Sequence, residues 1–153
     1  MEPKRGFMIQ AAMGSGKSYY CNHNIPPQYQ FLVIDGDELL KLKGIKNKND
    51  FWYDETKDKE RLDIINVFNT YLNLGYWIFY SGNPKYIKTD MIILPEVGKR
   101  WIQLQNREGY KPTHHKFMRE QLLYQNASHL CHYFINGDIP SFNILYTIYE
   151  SLK

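Results

Sequence analysis

Five runs of four or five apolar residues constrain the fold of this 153-residue chain more than any other feature. They are Phe7–Ala11, Phe31–Ile34, Trp77–Tyr80, Met91–Leu94 and His132–Ile135, each rich in Val, Ile, Phe, Tyr or Trp and closed by Gly, Pro, Asn or Asp. Apolarity is nearly continuous within each run rather than alternating, which is the pattern of a strand covered on both faces. The intervals between them carry helical spacing. Asp58–Leu74 sets Leu62, Ile65, Phe68 and Leu72 on one stripe and stops at Gly75. Glu96–Glu108 repeats the pattern with Val97, Trp101 and Leu104, and His115–Leu130 with Phe117, Leu122 or Leu123, and Leu130. Ser141 is placed to N-cap a last helix through Ser151, with Ile144, Leu145 and Ile148 inward. Strands alternating with helices require crossovers and a parallel sheet layered by helices. The fold class is α/β, and the length fits one domain over residues 1–153.

The first run passes directly into Ala11-Ala12-Met13-Gly14-Ser15-Gly16-Lys17-Ser18. This is the phosphate-binding pattern G-x-x-x-x-G-K-[ST], with alanine where the first glycine stands. A chain that curls around a phosphate must turn its N–H groups inward, and glycine allows the angles and the close approach. The helix that follows adds its positive end. Met13, Gly14, Ser15, Gly16, Lys17 and Ser18 are therefore the expected nucleotide-binding residues. Lys17 reaches for the β- and γ-phosphates, and the Ser18 hydroxyl for Mg²⁺.

The second run ends in Asp35-Gly36-Asp37. Ligands of parallel sheets gather outside the carboxyl ends of the strands. Two carboxylates there can divide the work, one accepting a proton from an attacking hydroxyl and one orienting Mg²⁺ or the acceptor. A basic group surrounds the irregular segment Arg107–His115, with Arg107 and Arg119 flanking it; Lys99 and Arg100 read as surface charges. Guanidinium groups on such a segment stabilise charge on a transferring phosphoryl group as a lid closes. Lys41–Lys59 is a long polar loop, in which Phe51-Trp52-Tyr53 serves either to anchor the loop or to stack on a base.

Several classes are excluded. No apolar run is long enough for a membrane span. The N-terminal apolar stretch is broken too soon by glycine for a secretion signal. Cys21 and Cys131 are too few for a disulfide framework, which points to a reducing, cytoplasmic setting. A net charge of +3 suits a phosphorylated ligand without demanding nucleic acid.

Taken together, these motifs resemble the nucleotide and nucleoside kinase group of P-loop proteins over nearly the whole chain. The resemblance implies a three-layer fold with a five-stranded parallel sheet in the order 2-3-1-4-5, and a short lid over residues 107–119. It also implies an ATP donor with Mg²⁺ held by Ser18 and Asp35. The Asp-Gly-Asp triplet is similar to that of adenylylsulfate kinase, and the acidic pair to that of polynucleotide 5′-hydroxyl kinases. By that likeness Asp35 is the base and Asp37 positions the acceptor, with Lys17, Arg107 and Arg119 catalytic. Arg61, the only arginine between the second and third runs, is the expected acceptor-binding arginine. The implied activity is ATP-dependent transfer of a γ-phosphoryl group to a nucleoside or nucleoside monophosphate. A nucleic-acid 5′ end is the alternative acceptor. A nucleotide-binding structural or regulatory subunit without transfer activity is the alternative of another class.

Overall fold

The computed structural model describes residues 4–152. The five runs become five parallel strands: β1 Met8–Ala11, β2 Val33–Asp35, β3 Trp77–Tyr80, β4 Met91–Ile93 and β5 Tyr133–Ile135. They lie in the order β2-β3-β1-β4-β5. Ile9 pairs with Phe79 on one side and Met91 on the other, which puts β1 at the centre. Every residue of β1, β3 and β4 is buried, as unalternating sequence requires. The edge strands β2 and β5 have one neighbour each and are only partly covered.

Six helices connect and flank the sheet: α1 Lys17–His23, α2 Gly36–Leu42, α3 Asp58–Asn73, α4 Val97–Asn106, α5 His114–Gln125 and α6 Phe142–Ser151. Ile9, Ala11, Trp77 and Phe79 pack on one face with Tyr20 of α1 and Phe142, Leu145 and Tyr149 of α6. Met8, Ile78 and Tyr80 pack on the other with Leu39 and Leu40 of α2 and Ile64, Phe68 and Leu72 of α3. The result is helix, sheet and helix in three layers. Among the described residues no helix is long and apolar enough to cross a membrane.

The helical faces depart from the sequence expectation in a consistent way. On α3 the inward residues are Arg61, Ile64, Phe68 and Leu72, while Leu62 is 54% exposed. On α4 they are Arg100 and Leu104, while Val97 faces partly outward. On α6 Phe142, Leu145 and Tyr149 turn inward to surround the Trp77 indole, and Ile144 is left outside. On α5 Leu122 is exposed and Phe117, Glu120, Gln121 and Tyr124 form the buried stripe. Polar and aromatic side chains with partners inside displaced aliphatic ones from the core face. Two boundaries also move. Phe31 lies in a turn before the edge strand, 74% exposed, and α5 stops at Asn126, leaving Ser128–Leu130 as a 3-10 turn.

Candidate active site

The loop between β1 and α1 begins at a residue that does not turn. Ala11 is the last residue of β1, paired with Ile93 and fully buried, so its backbone is extended and glycine is not needed there. The turn comes at Gly14 and Gly16, with φ of 79° and 84°. A Cβ at Gly14 would lie 2.8 Å from Leu104 Cγ and 2.9 Å from the Arg100 carbonyl oxygen. Gly14→Ala is therefore expected to cost about 2–5 kcal/mol from the left-handed angle and overpacking together. Urea unfolding reads this directly, and an unchanged midpoint would contradict the loop geometry.

Gly16 is the N-cap of α1, and no side chain caps that end. The first-turn amides of a helix have no intrahelical carbonyl to bind, and here no side chain takes their place. Ser15 N–H closes a turn onto Ala12 O at 3.1 Å, and Ser15 Oγ is buried without a partner. Met13, expected among the phosphate-binding residues, directs its N–H to the Glu120 carboxylate instead, at 3.0 Å. Its side chain nevertheless lines the adjoining cavity.

The two aspartates take different places. Asp35 caps α2 by accepting the Asp37 N–H at 3.0 Å, and its other oxygen accepts the Ser18 hydroxyl at 2.7 Å. Both of its oxygens are engaged. Asp37 instead faces the cavity, with Oδ2 3.2 Å from Lys17 Nζ and Oδ1 accepting from Asn47 Nδ2 at 2.8 Å. Asn47 Oδ1 accepts from the Tyr80 hydroxyl at 2.5 Å, and Tyr80 in turn accepts from Trp52 Nε1 at 3.0 Å. Burial, reinforced by the Asp37 charge, pushes the Tyr80 hydroxyl far above the usual phenol range, so it remains a donor. A chain of hydrogen bonds thus runs from the core to Asp37 and ends at Lys17.

The cavity above this chain has a volume of about 480 Å³. Trp52 and Tyr80 supply an aromatic wall, and Lys48, Arg107 and Lys116 supply positive charge. Arg107 stands where α4 gives way to the irregular segment 107–113 and donates through Nε to Tyr110 O at 2.8 Å. Arg119 lies behind the wall. Its guanidinium stacks 3.7 Å from the Tyr53 ring centre and sits 3.5 Å from Asp50 Oδ1, as Lys116 Nζ does.

Arg61 corrects the sequence reading. It is buried under the loop, donating to Phe51 O and Asp54 O at 2.6 Å each, pairing with Asp58 and stacking on Tyr86. Its hydrogen bonds hold the segment that carries Trp52 and it does not line the cavity. Of the aromatic trio, Phe51 and Trp52 are core anchors, and Trp52 also reaches the cavity wall.

A second hollow of about 260 Å³ touches the loop at Ser15 and Gly16 and is bounded by Tyr19, Gln103 and Asp138. The loop therefore borders two spaces. Burial, with Asp35 adding to it, pushes the Cys21 thiol up to about 12, which leaves it protonated near neutral pH.

The fold has counterparts among solved structures. The chain superposes on shikimate kinase from Acinetobacter baumannii, solved in complex with shikimate, with a TM-score of 0.55 and 14% identity over 99% of this chain and 97% of that one. It also superposes on a gluconokinase from Sinorhizobium meliloti 1021, with a TM-score of 0.56 and 12% identity over 96% and 91%. The chain shares its fold with these two kinases. No family model and no curated protein matches the sequence.

Sequence reasoning missed two residues that touch the loop. Arg100, read as a surface charge, is fully buried, and Glu120 is 1% exposed. They pair at 2.6 Å. The signal was present in the spacing: Arg100 stands four residues before Leu104, and Glu120 lies between Phe117 and Tyr124 on the stripe that faces inward. A charge at an inward position is a sign of a buried partner.

Proposed function

We propose that this protein is an ATP-dependent phosphotransferase acting on a small acceptor that presents a hydroxyl group. The observation that carries the reading is the meeting of Lys17 and Asp37, 3.2 Å apart at the wall of the cavity, one from the phosphate loop and one from the strand-end acids. A cation for the donor and a carboxylate for the acceptor stand on the line along which a phosphoryl group would pass. The nucleoside of the donor occupies the hollow bounded by Tyr19, Gln103 and Asp138, and its phosphates follow the loop to Lys17.

In the reaction, Lys17 exchanges Asp37 for the β- and γ-phosphates. Asp37 then accepts the proton of the acceptor hydroxyl as its oxygen bonds to the γ-phosphorus and the bond to ADP breaks. Asn47, backed by Tyr80 and Trp52, holds the carboxylate at the angle this requires. Arg107 meets the developing charge from the side of the segment after α4, and Arg119, stacked on Tyr53, holds Asp50 at the cavity wall. Ser18 and Asp35, with oxygens 2.7 Å apart, fit a hard cation, and Mg²⁺ held there would neutralise charge on the donor phosphates.

Among acceptors we favour a nucleoside or nucleoside monophosphate, whose planar base suits the wall formed by Trp52 and Tyr80, with Lys48 and Lys116 available to a phosphate. The resemblance in fold to the kinase solved with shikimate widens the test to hydroxylated small acids. One observation favours a second reading. Lys41, Lys43, Lys46 and Lys48 are all exposed along the segment that leads to the cavity mouth, which suits the phosphates behind a nucleic-acid 5′ end. Transfer from labelled ATP to nucleosides, nucleotides, hydroxy acids and 5′-hydroxyl oligonucleotides separates these. Acceptor binding that weakens steeply with salt identifies the oligonucleotide. Nucleotide binding with no transfer to any member would replace the enzyme reading by that of a nucleotide-binding subunit.

A further inference from the structure

We propose that Arg100 and Glu120 are positioning residues for the nucleotide, a buried ion pair that grips both polar groups of Met13 and so sets the shape of the phosphate loop. The inference rests on the reading that this loop holds a nucleotide. Glu120 Oε1 accepts the Met13 N–H at 3.0 Å and Arg100 Nη2 at 2.6 Å. Arg100 Nε donates back to Met13 O at 3.1 Å, and Nη1 to Gln121 Oε1 at 2.7 Å. The guanidinium is also stacked 4.6 Å from the centre of the Phe117 ring. One loop residue is thereby clamped from both sides by the two helices that border the lid segment.

A buried ion pair is a poor way to gain stability, because desolvation offsets most of the attraction. Well-packed apolar residues at 100 and 120 would hold α4 against α5 as well or better. What they would not do is fix the Met13 peptide. That peptide decides where the chain enters the turn at Gly14, whose missing Cβ leaves room for the Arg100 carbonyl and Leu104. With Met13 N–H drawn away to Glu120, the amides of Gly14, Gly16, Lys17 and Ser18 are the ones left to converge on phosphate. Arg107 directly follows α4 and Lys116 lies in the first turn of α5, so the phosphate loop and the segment between these helices share one anchor. A misplacement of the order of an ångström in such a cradle is enough to cost about a hundredfold in rate, and the loop amides that hold the nucleotide would be displaced with it.

The test separates positioning from support. In the Arg100→Met/Glu120→Met double variant both charges leave together and the volume is nearly kept. The expected result is a folded protein whose melting temperature falls only moderately, because Met13 N–H, Met13 O and Gln121 Oε1 lose their buried partners. Its Kd for Mg-ADP, read by calorimetry, rises about tenfold or more, while Trp52 and Tyr80 still line the same cavity. A melting temperature that collapses while the folded fraction binds Mg-ADP with unchanged affinity would overturn the proposal. Amide exchange on the unaltered protein gives a second reading that needs no variant. Met13 N–H should be as protected as the central strand before any nucleotide is added, with Gly14 and Gly16 exchanging rapidly. Equal, rapid exchange at all three overturns the clamp. If the unaltered protein binds no Mg-ADP, the failure belongs to the functional reading, whereas the exchange pattern still decides the clamp.

Discussion

Lys17→Ala is expected to lower turnover by about a thousandfold or more, comparable with removing a main stabilising group from a preorganised site. The side chain is only 12% exposed, and its ammonium lies 3.2 Å from Asp37 at the cavity wall. Among the described residues no other lysine or arginine lies within salt-bridge distance of that carboxylate. Once a donor is bound, loss of the ammonium leaves charge on the transferring group without its nearest protein partner. Mg-ADP affinity should fall far less than turnover, because the loop amides remain. The measurement is single-turnover transfer with the best acceptor of the panel. Turnover within threefold of the parent protein would contradict the role given to Lys17.

Asp37→Asn is expected to lower kcat by about 10²–10⁴-fold, the usual range for a positioned general base. The amide keeps the size and can still accept from Asn47, so the cavity wall stays in place. What it loses is the capacity to take a proton and the charge that faces Lys17. Asp35→Asn should behave differently. Asp35 caps α2 and accepts from Ser18, so its loss should appear as a higher Mg²⁺ requirement together with a less stable helix start. If Asp35→Asn abolishes turnover at saturating Mg²⁺ and Asp37→Asn does not, the base is Asp35, as the acidic triplet suggested by resemblance.

The sheet was readable because burial on both faces leaves a mark that no other element leaves. Trp77–Tyr80 and Met91–Ile93 have no polar position at all, and both are central strands. Phe31 failed because an edge strand is shorter than the apolar run that leads into it. The helices were readable as helices but not in rotation. Counting only aliphatic residues placed Leu62 inward, whereas Arg61 is buried one position earlier because two carbonyls and Asp58 receive its guanidinium. The same reason hid Arg100 and Glu120. A buried charge becomes visible only with its partner, and the partners come from elements far apart in sequence.

The site divides along similar lines. The phosphate loop and the acidic triplet are local patterns, and the structure brings Lys17 to Asp37 and Ser18 to Asp35. The cavity wall is different. Asn47, Trp52 and Tyr80 come from an aperiodic loop and a strand end, joined by hydrogen bonds that no spacing announces.

The place of Ala11 as the final paired residue of the first strand bears on how chains of this kind are found. The bend starts two residues further on, so no left-handed angle falls at position 11 and alanine meets the local geometry there. A search string that insists on glycine at that place passes over this chain. Strand, two left-handed glycines, lysine and hydroxyl are the parts that geometry demands, and a query built from those four would retrieve this chain.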